Sequence, residues 1–216
     1  SNFRLVIGNK NYSSWSMRPW LVMKAFGIPF EEIYVPLYQS NSTQKISEYS
    51  VSGRVPVLLA DELVVWDSLA ICEYLAERFP LQNLWPEAEA GRATARSICA
   101  EMHSGLNQLR EAMPMNIRAT FPGKGRTAGS QADIGRVSEI WEDCLSTYGA
   151  HRFLFGDFSI ADAYFAPVVM RFKSYGVSLA PALQAYCERV ESYPAVQEWV
   201  RLAHEEPDTI AKFDTL

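Results

Sequence analysis

The hydrophobic rhythm of this chain changes once, at Pro80, and that change limits the possible folds more than any single motif. Before Pro80, short β-type runs alternate with helical patterns. Phe3 to Gly8 reads as a buried strand, and residues 9–15 are polar and turn-rich. A helix is expected from near Ser16, with Pro19 in its first turn, to a stop at Gly27. Phe30 to Val35 is β-rich and closed by Pro36, and one helical turn is expected around Thr43–Tyr49. Val55 to Leu59 and Leu63 to Trp66 form two strands around the short Asp61-Glu62 turn. Asp67 or Ser68 then caps a helix over Leu69–Phe79.

Beyond Pro80 the strand signals stop. Residues 81–90 read as a linker, and 91–216 as an all-helical domain with helices over Ala88–Arg118, Gln131–Tyr148, Ile160–Tyr175, Pro181–Ser192 and Ala195–Glu205. Residues 120–130 form a loop. An α/β part (1–80) followed by an all-α part implies two packed domains.

Hydrophobic residues make up 48% of the 216, which supplies a sizeable core. The net charge of -5 argues against a nucleic-acid surface, and no apolar run is long enough for a membrane helix. No secretory leader pattern opens the sequence. Cys72, Cys99, Cys144 and Cys187 are widely spaced, which favours buried free thiols over disulfides. His103, His151 and His204 lack metal-ligand spacing, so no metal is expected.

Three ordered features resemble the cytosolic glutathione transferases. The first is Asn11-Tyr-Ser-Ser-Trp-Ser-Met-Arg-Pro-Trp-Leu21 with the helix end Gly27-Ile28, similar to the zeta and omega branches. The second is Gly53-Arg-Val-Pro-Val-Leu58 with Trp66-Asp-Ser-Leu-Ala-Ile71. The third is Phe158-Ser-Ile-Ala-Asp162, which is also an S-x-x-D capping box. The resemblance spans nearly the whole chain. It implies an α/β thioredoxin-like N-terminal domain, an all-α C-terminal domain, glutathione as co-substrate, a cytoplasmic homodimer and a cis Pro56.

Each matched residue then acquires an expected duty. Val55 and Pro56 offer a main-chain edge to the cysteinyl backbone of glutathione. Ser68 and the amides that follow it suit the γ-glutamyl carboxylate, and Asp67 faces the γ-glutamyl ammonium. The same Asp67 and Ser68 also suffice as an ordinary helix cap. Arg54 is expected at the glycyl carboxylate, with Gln39 or Lys45 contributing. Ser13 falls on the activating position, Ser14 is adjacent, and Tyr12 remains an alternative because one residue of loop path exchanges them.

Activation means favouring the thiolate, since a free thiol titrates near 8.5. A shift of two units is worth about 2.7 kcal/mol. A hydroxyl bonded to the sulfur supplies about 1.5–3 kcal/mol, and a helix N-terminus some tenths more. Cysteine is absent from the Ser13 position, which disfavours mixed-disulfide chemistry, and Ser13-Ser14-Trp15 matches the zeta Ser-Ser-Cys run only in part. The second substrate, a small hydrophobic or electrophilic molecule, is expected against Trp15 and a helix face carrying Met102, His103, Leu106, Asn107, Arg110 and Met113, with Arg171 approaching from another helix. That stripe is equally the pattern of plain domain packing. A maleylacetoacetate-type isomerase and a non-catalytic binding module are the alternative functions.

Overall fold

A computed structural model describes residues 2–150 and 152–216; His151 lies outside them. The first part runs β1 (Phe3–Ile7), α1 (Ser14–Ala25), β2 (Glu31–Tyr34), α2 (Ser42–Ser47), β3 (Val57–Ala60), β4 (Leu63–Trp66) and α3 (Ser68–Arg78). The sheet order is β2-β1-β3-β4, with β1 parallel to β2 and the other pairs antiparallel. This is the thioredoxin-like arrangement.

Strand alternation decides what each sheet face covers. Leu5, Ile7, Leu58 and Ala60 join the large core beneath α1 and α3, while Val6, Val57 and Leu59 join a smaller cluster with Val35 and Ile46 under α2. Successive residues of β1 and β3 therefore serve opposite faces. Asp61, at φ 53, makes the tight turn between β3 and β4.

A single 3₁₀ turn at Pro80–Gln82 leads to the helical part: α4 (Glu89–Ser104), α5 (Asn107–Ala112), α6 (Ala128–Cys144), α7 (Ile160–Tyr175), α8 (Pro181–Glu191), α9 (Pro194–Glu205) and α10 (Ala211–Asp214). One π turn, Leu145–Gly149, extends α6. The large core is continuous across both parts, because α1 packs on α7 and α9, with Trp20 edge-on to Trp199 at 5.1 Å. Helix α7 is buried along nearly its whole length, so its Pro167 and small residues lie inside rather than on a surface.

Its start is a full capping box. Ser159 Oγ accepts from Ala161 N (3.2 Å), and Asp162 Oδ2 accepts from Ser159 N (3.0 Å). Asp162 Oδ1 also accepts from Leu154 N and the Tyr186 hydroxyl. Burial nevertheless pushes the Asp162 carboxyl up to about 6, against those three stabilising bonds.

The helix expected over Ala88–Arg118 is in fact two. Gly105 is extended and Leu106 sits at φ 55, which separates α4 from α5. A side chain at Gly105 would lie 2.9 Å from the Glu101 carbonyl, so close backbone approach requires glycine there.

Candidate active site

Helix α1 begins two residues earlier than its sequence pattern indicates, and this fixes the serines. Ser13 is the N-cap and Ser14 the first helical residue. Ser13 Oγ donates to Ser16 Oγ at 2.7 Å and accepts from Ser16 N at 3.4 Å; Ser16 Oγ also takes the Gly8 amide at 3.1 Å. Ser14 Oγ accepts from Arg171 Nη2 at 3.4 Å. The Tyr12 hydroxyl points elsewhere. It donates to Asp214 Oδ1 (2.8 Å) and accepts from Ile210 N (3.0 Å) and Arg118 Nη2 (3.3 Å), so it anchors the C-terminal segment.

The rest of the active loop is held from a distance. Glu206 accepts from the amides of Lys10 and Asn11, and Asn11 Oδ1 accepts from Arg118 N. Asn116 bonds both Asn11 and Asp214.

Two clefts meet at Trp15, Val55 and Arg110. The first, about 650 Å³, is lined by Ser52, Arg54, Val55, Pro56, Trp66, Asp67, Ser68 and His103. Its Val55–Pro56 peptide is cis. Asp67 adopts φ 79, a left-handed conformation rare outside glycine, and spends Oδ1 on the Leu69 and Ala70 amides (2.9 and 3.1 Å). Those first-turn amides, expected to meet a ligand carboxylate, are therefore already capped. Asp67 Oδ2 lies 3.1 Å from His103 Nε2, and Ser68 Oγ bonds the Tyr164 hydroxyl at 2.8 Å. Gln39 is not brought to either cleft: it is exposed beyond the Tyr38 turn, and Lys45 is exposed on α2.

The second cleft, about 610 Å³, is lined by Tyr12, Ser13, Ser14, Tyr38, Met115, Arg171, Lys212 and Phe213, among others. The break at Gly105–Leu106 redistributes the residues expected on one helical stripe. Met102 is fully buried and Leu106 nearly so, and both belong to the core instead of the pocket. Met113 is buried likewise. His103 turns to the first cleft, and Arg110 stands at the seam between the two.

Two arginines flank Trp15 and a third reaches its neighbour Ser14. The Arg18 guanidinium lies 4.5 Å from the Trp15 ring and Arg110 5.2 Å, while Arg171 is the one at Ser14. Arg18 and Arg171 are buried, each with one bond to a backbone carbonyl; both terminal nitrogens of Arg18 and Nη1 of Arg171 lack a partner. None of the three has a carboxylate at ion-pair distance among the described residues. Burial, and after it their mutual repulsion, lowers Arg171 to about 9; burial above all lowers Arg18 to about 10. Both remain cations at working pH. The site is an uncompensated positive field at a helix N-terminus, suited to an anion.

Sequence reasoning did not find Tyr164, Tyr38, Lys212 or Phe213. Tyr164 had one available signal: a tyrosine near the start of a buried helix needs a partner for its hydroxyl. The others come from a turn and from the chain's last residues, and no local pattern marks them. A larger groove of about 740 Å³ lies along Tyr74, Trp85 and Arg92 but offers neither activating hydroxyl nor docking edge, so chemistry and not size selects the site. Among the described residues no group of side chains suits a metal ion, and no helix is long and apolar enough to cross a membrane.

The chain matches the glutathione S-transferase N-terminal domain over residues 12–78 and the glutathione S-transferase C-terminal domain over residues 124–202. It is 27% identical to a probable maleylacetoacetate isomerase of Caenorhabditis elegans, covering 78% of each chain. It is 23% identical to glutathione S-transferase GstB of Escherichia coli K12, over 92% of this chain and 98% of that one. Among solved structures it resembles a glutathione transferase homologue of Burkholderia GL BGR1 with bound glutathione, at 27% identity and a TM-score of 0.74, covering 95% and 100% of the two chains. With both domain matches in order on this architecture, the chain belongs to the glutathione S-transferase family and is an enzyme of it.

Proposed function

We propose that this enzyme holds glutathione in the Val55–Ser68 cleft, favours its thiolate with the Ser13 hydroxyl, and adds it to an electrophilic small molecule in the neighbouring cleft. The observation that carries this reading is the meeting of the two clefts at the start of α1, among three arginines without counter-ions. Glutathione supplies the nucleophilic sulfur; the chain supplies the field and the contacts. Val55 offers its main chain, Arg54 a cation for the glycyl end, and Asp67 a carboxylate oxygen for the γ-glutamyl ammonium.

Ser13 can turn its proton from Ser16 to a sulfur without leaving Ser16 unpartnered, because Ser16 Oγ keeps the Gly8 amide. A hydroxyl donating to a charged acceptor is worth about 1.5–3 kcal/mol. Arg171 polarises Ser14 beside it. Trp15, Arg110, Tyr38, Lys212 and Phe213 wall the second cleft and favour an aromatic or apolar body carrying negative charge. A cytoplasmic homodimer is the assembly this reading carries with it.

The isomerase reading has its own support. Isomerases named for maleylacetoacetate are among the relatives, and Arg171, buried without a counter-ion, suits a substrate carboxylate. Stopped-flow titration of the glutathione thiolate at 240 nm, with turnover of electrophile and isomerase panels, tests both. Ser13→Ala is expected to raise the thiol pKa by about one to two units at nearly unchanged glutathione affinity. The same loss in Ser14→Ala alone would move the role to Ser14. Glutathione binding without turnover of any panel member would favour a binding module, and no glutathione binding would overturn the proposal.

A further inference from the structure

Four side chains from three separated segments form one hydrogen-bonded line along the first cleft. Asp67 Oδ2 lies 3.1 Å from His103 Nε2, His103 Nδ1 is 2.9 Å from the Tyr164 hydroxyl, and that hydroxyl is 2.8 Å from Ser68 Oγ. Both ends of the line reach the cleft wall, and so does His103. Tyr164 lies between them and does not line the cleft. Arg18 of α1, 4.9 Å from the Tyr164 ring, and Arg110 of α5 are the cations nearest this line, both against Trp15, which meets the His103 ring edge-on at 5.1 Å. Arg54 lines the same cleft from the loop before β3.

The line has two polarities. Burial pushes the Tyr164 phenol far above its ordinary value, so its oxygen always carries one proton and always donates to one neighbour. If it donates to His103, the imidazole is neutral, its Nε2–H faces Asp67, and Ser68 spends its proton on Tyr164. Ser68 then turns only lone pairs to the cleft. If Tyr164 donates to Ser68, the Ser68 proton is free for the cleft, and His103 Nδ1 must itself donate to Tyr164. With Asp67 at Nε2, that imidazole carries both protons.

We propose that the γ-glutamyl carboxylate selects the second polarity, so that binding glutathione draws a proton from solvent onto His103. One N–H bond forms at Nδ1 as the acidic bond of hydronium or a buffer acid breaks, and the Tyr164 and Ser68 O–H bonds reorient without breaking. His103 and Tyr164 are thus positioning residues for Ser68 and Asp67, and the second domain takes part in recognising the γ-glutamyl group within one chain. This rests on the glutathione reading above.

S-methylglutathione separates the two, because it has no thiol to titrate. Calorimetric titration of the full chain in buffers of different ionisation enthalpy is expected to show net proton uptake. Affinity should weaken as pH rises, by at most about tenfold per unit for one coupled proton. His103→Gln keeps an amide able to bridge Asp67 and Tyr164, and should bind with no uptake and a flat pH profile. Tyr164→Phe keeps the ring beneath Arg18 and should also lose the uptake. Wild-type binding without uptake, or uptake that survives in either variant, overturns the inference while leaving the glutathione reading standing. Absence of S-methylglutathione binding overturns both.

Discussion

The two clefts that meet at Trp15 are built in opposite ways. In the first cleft, the wall proposed for docking is largely local: Val55 and Pro56 precede β3, and Asp67 and Ser68 open α3 eleven to thirteen residues later, joined by a hairpin whose register is set by its own alternation. On the other side, Ser14, Tyr38, Arg171 and Phe213 come from four distant segments. Even the path of the serine loop depends on Glu206 and Arg118, bound to it across more than a hundred residues of sequence. A site made from adjacent residues can be read along the chain, whereas one assembled by packing can be read only after folding. The first kind suits a ligand that stays the same, and the second can vary by exchanging a wall.

Substitutions can break this comparison. The largest effect is expected from Asp67→Ala, which removes the α3 cap together with the proposed ammonium partner. S-methylglutathione affinity should fall about 10- to 100-fold, since bonds to charged groups are worth about 1.5–3 kcal/mol, with little change in turnover at saturation. A matching loss of kcat would mean the halves are not separable. Arg171→Met tests the other side. Turnover per bound glutathione should drop about tenfold, a loss of about 1.4 kcal/mol of transition-state stabilisation, while S-methylglutathione binding stays put.

Helix α7 carries both Tyr164 and Arg171, so its cap is a shared foundation. The folded Asp162 carboxyl titrates near 6, above its ordinary value of 3.8, so the folded state binds this proton more tightly than the unfolded one. The stability this group contributes is full below about pH 4 and lost as pH rises through 6. Wild-type stability relative to Asp162→Asn should therefore improve by about 1–2 kcal/mol between pH 7 and 5 in denaturant titrations. A gap independent of pH would show that the carboxyl is not burdened by burial. The smallest effect is expected from Phe213→Ala: about a threefold rise in KM for an aromatic electrophile, a difference of about 0.7 kcal/mol, with glutathione affinity unchanged.

Legibility followed the same divide. The apolar run from Phe3 to Ile7 marked a buried strand, though only the packing shows which face each residue covers, and the Ser159–Asp162 box fixed the start of α7 to the residue. The continuous helix through residue 118 failed because Gly105 reads as a tolerable interruption until the Glu101 carbonyl is seen against it. That break carried the expected substrate stripe with it, sending Met102 and Leu106 into the core and His103 to the docking side. Gln39 stands outside both clefts, and a polar turn residue has no signature of which way its loop will lean. The start of α1 was misplaced because Ser13, Ser14 and Ser16 are all acceptable caps in isolation, and only the folded contacts, the Ser16 amide on Ser13 and the Gly8 amide on Ser16, distinguish them.

The cysteines have a consequence for how the protein survives its own chemistry. All four are buried; burial holds the Cys72 and Cys99 thiols far above their ordinary value and pushes Cys144 up to about 11 and Cys187 to about 12. A protein that binds glutathione, as proposed above, keeps a thiol close to its own sulfurs. None of the four cysteine sulfurs is both reachable and readily ionised, so mixed disulfides with glutathione should not form on them and activity should need no reductant to persist.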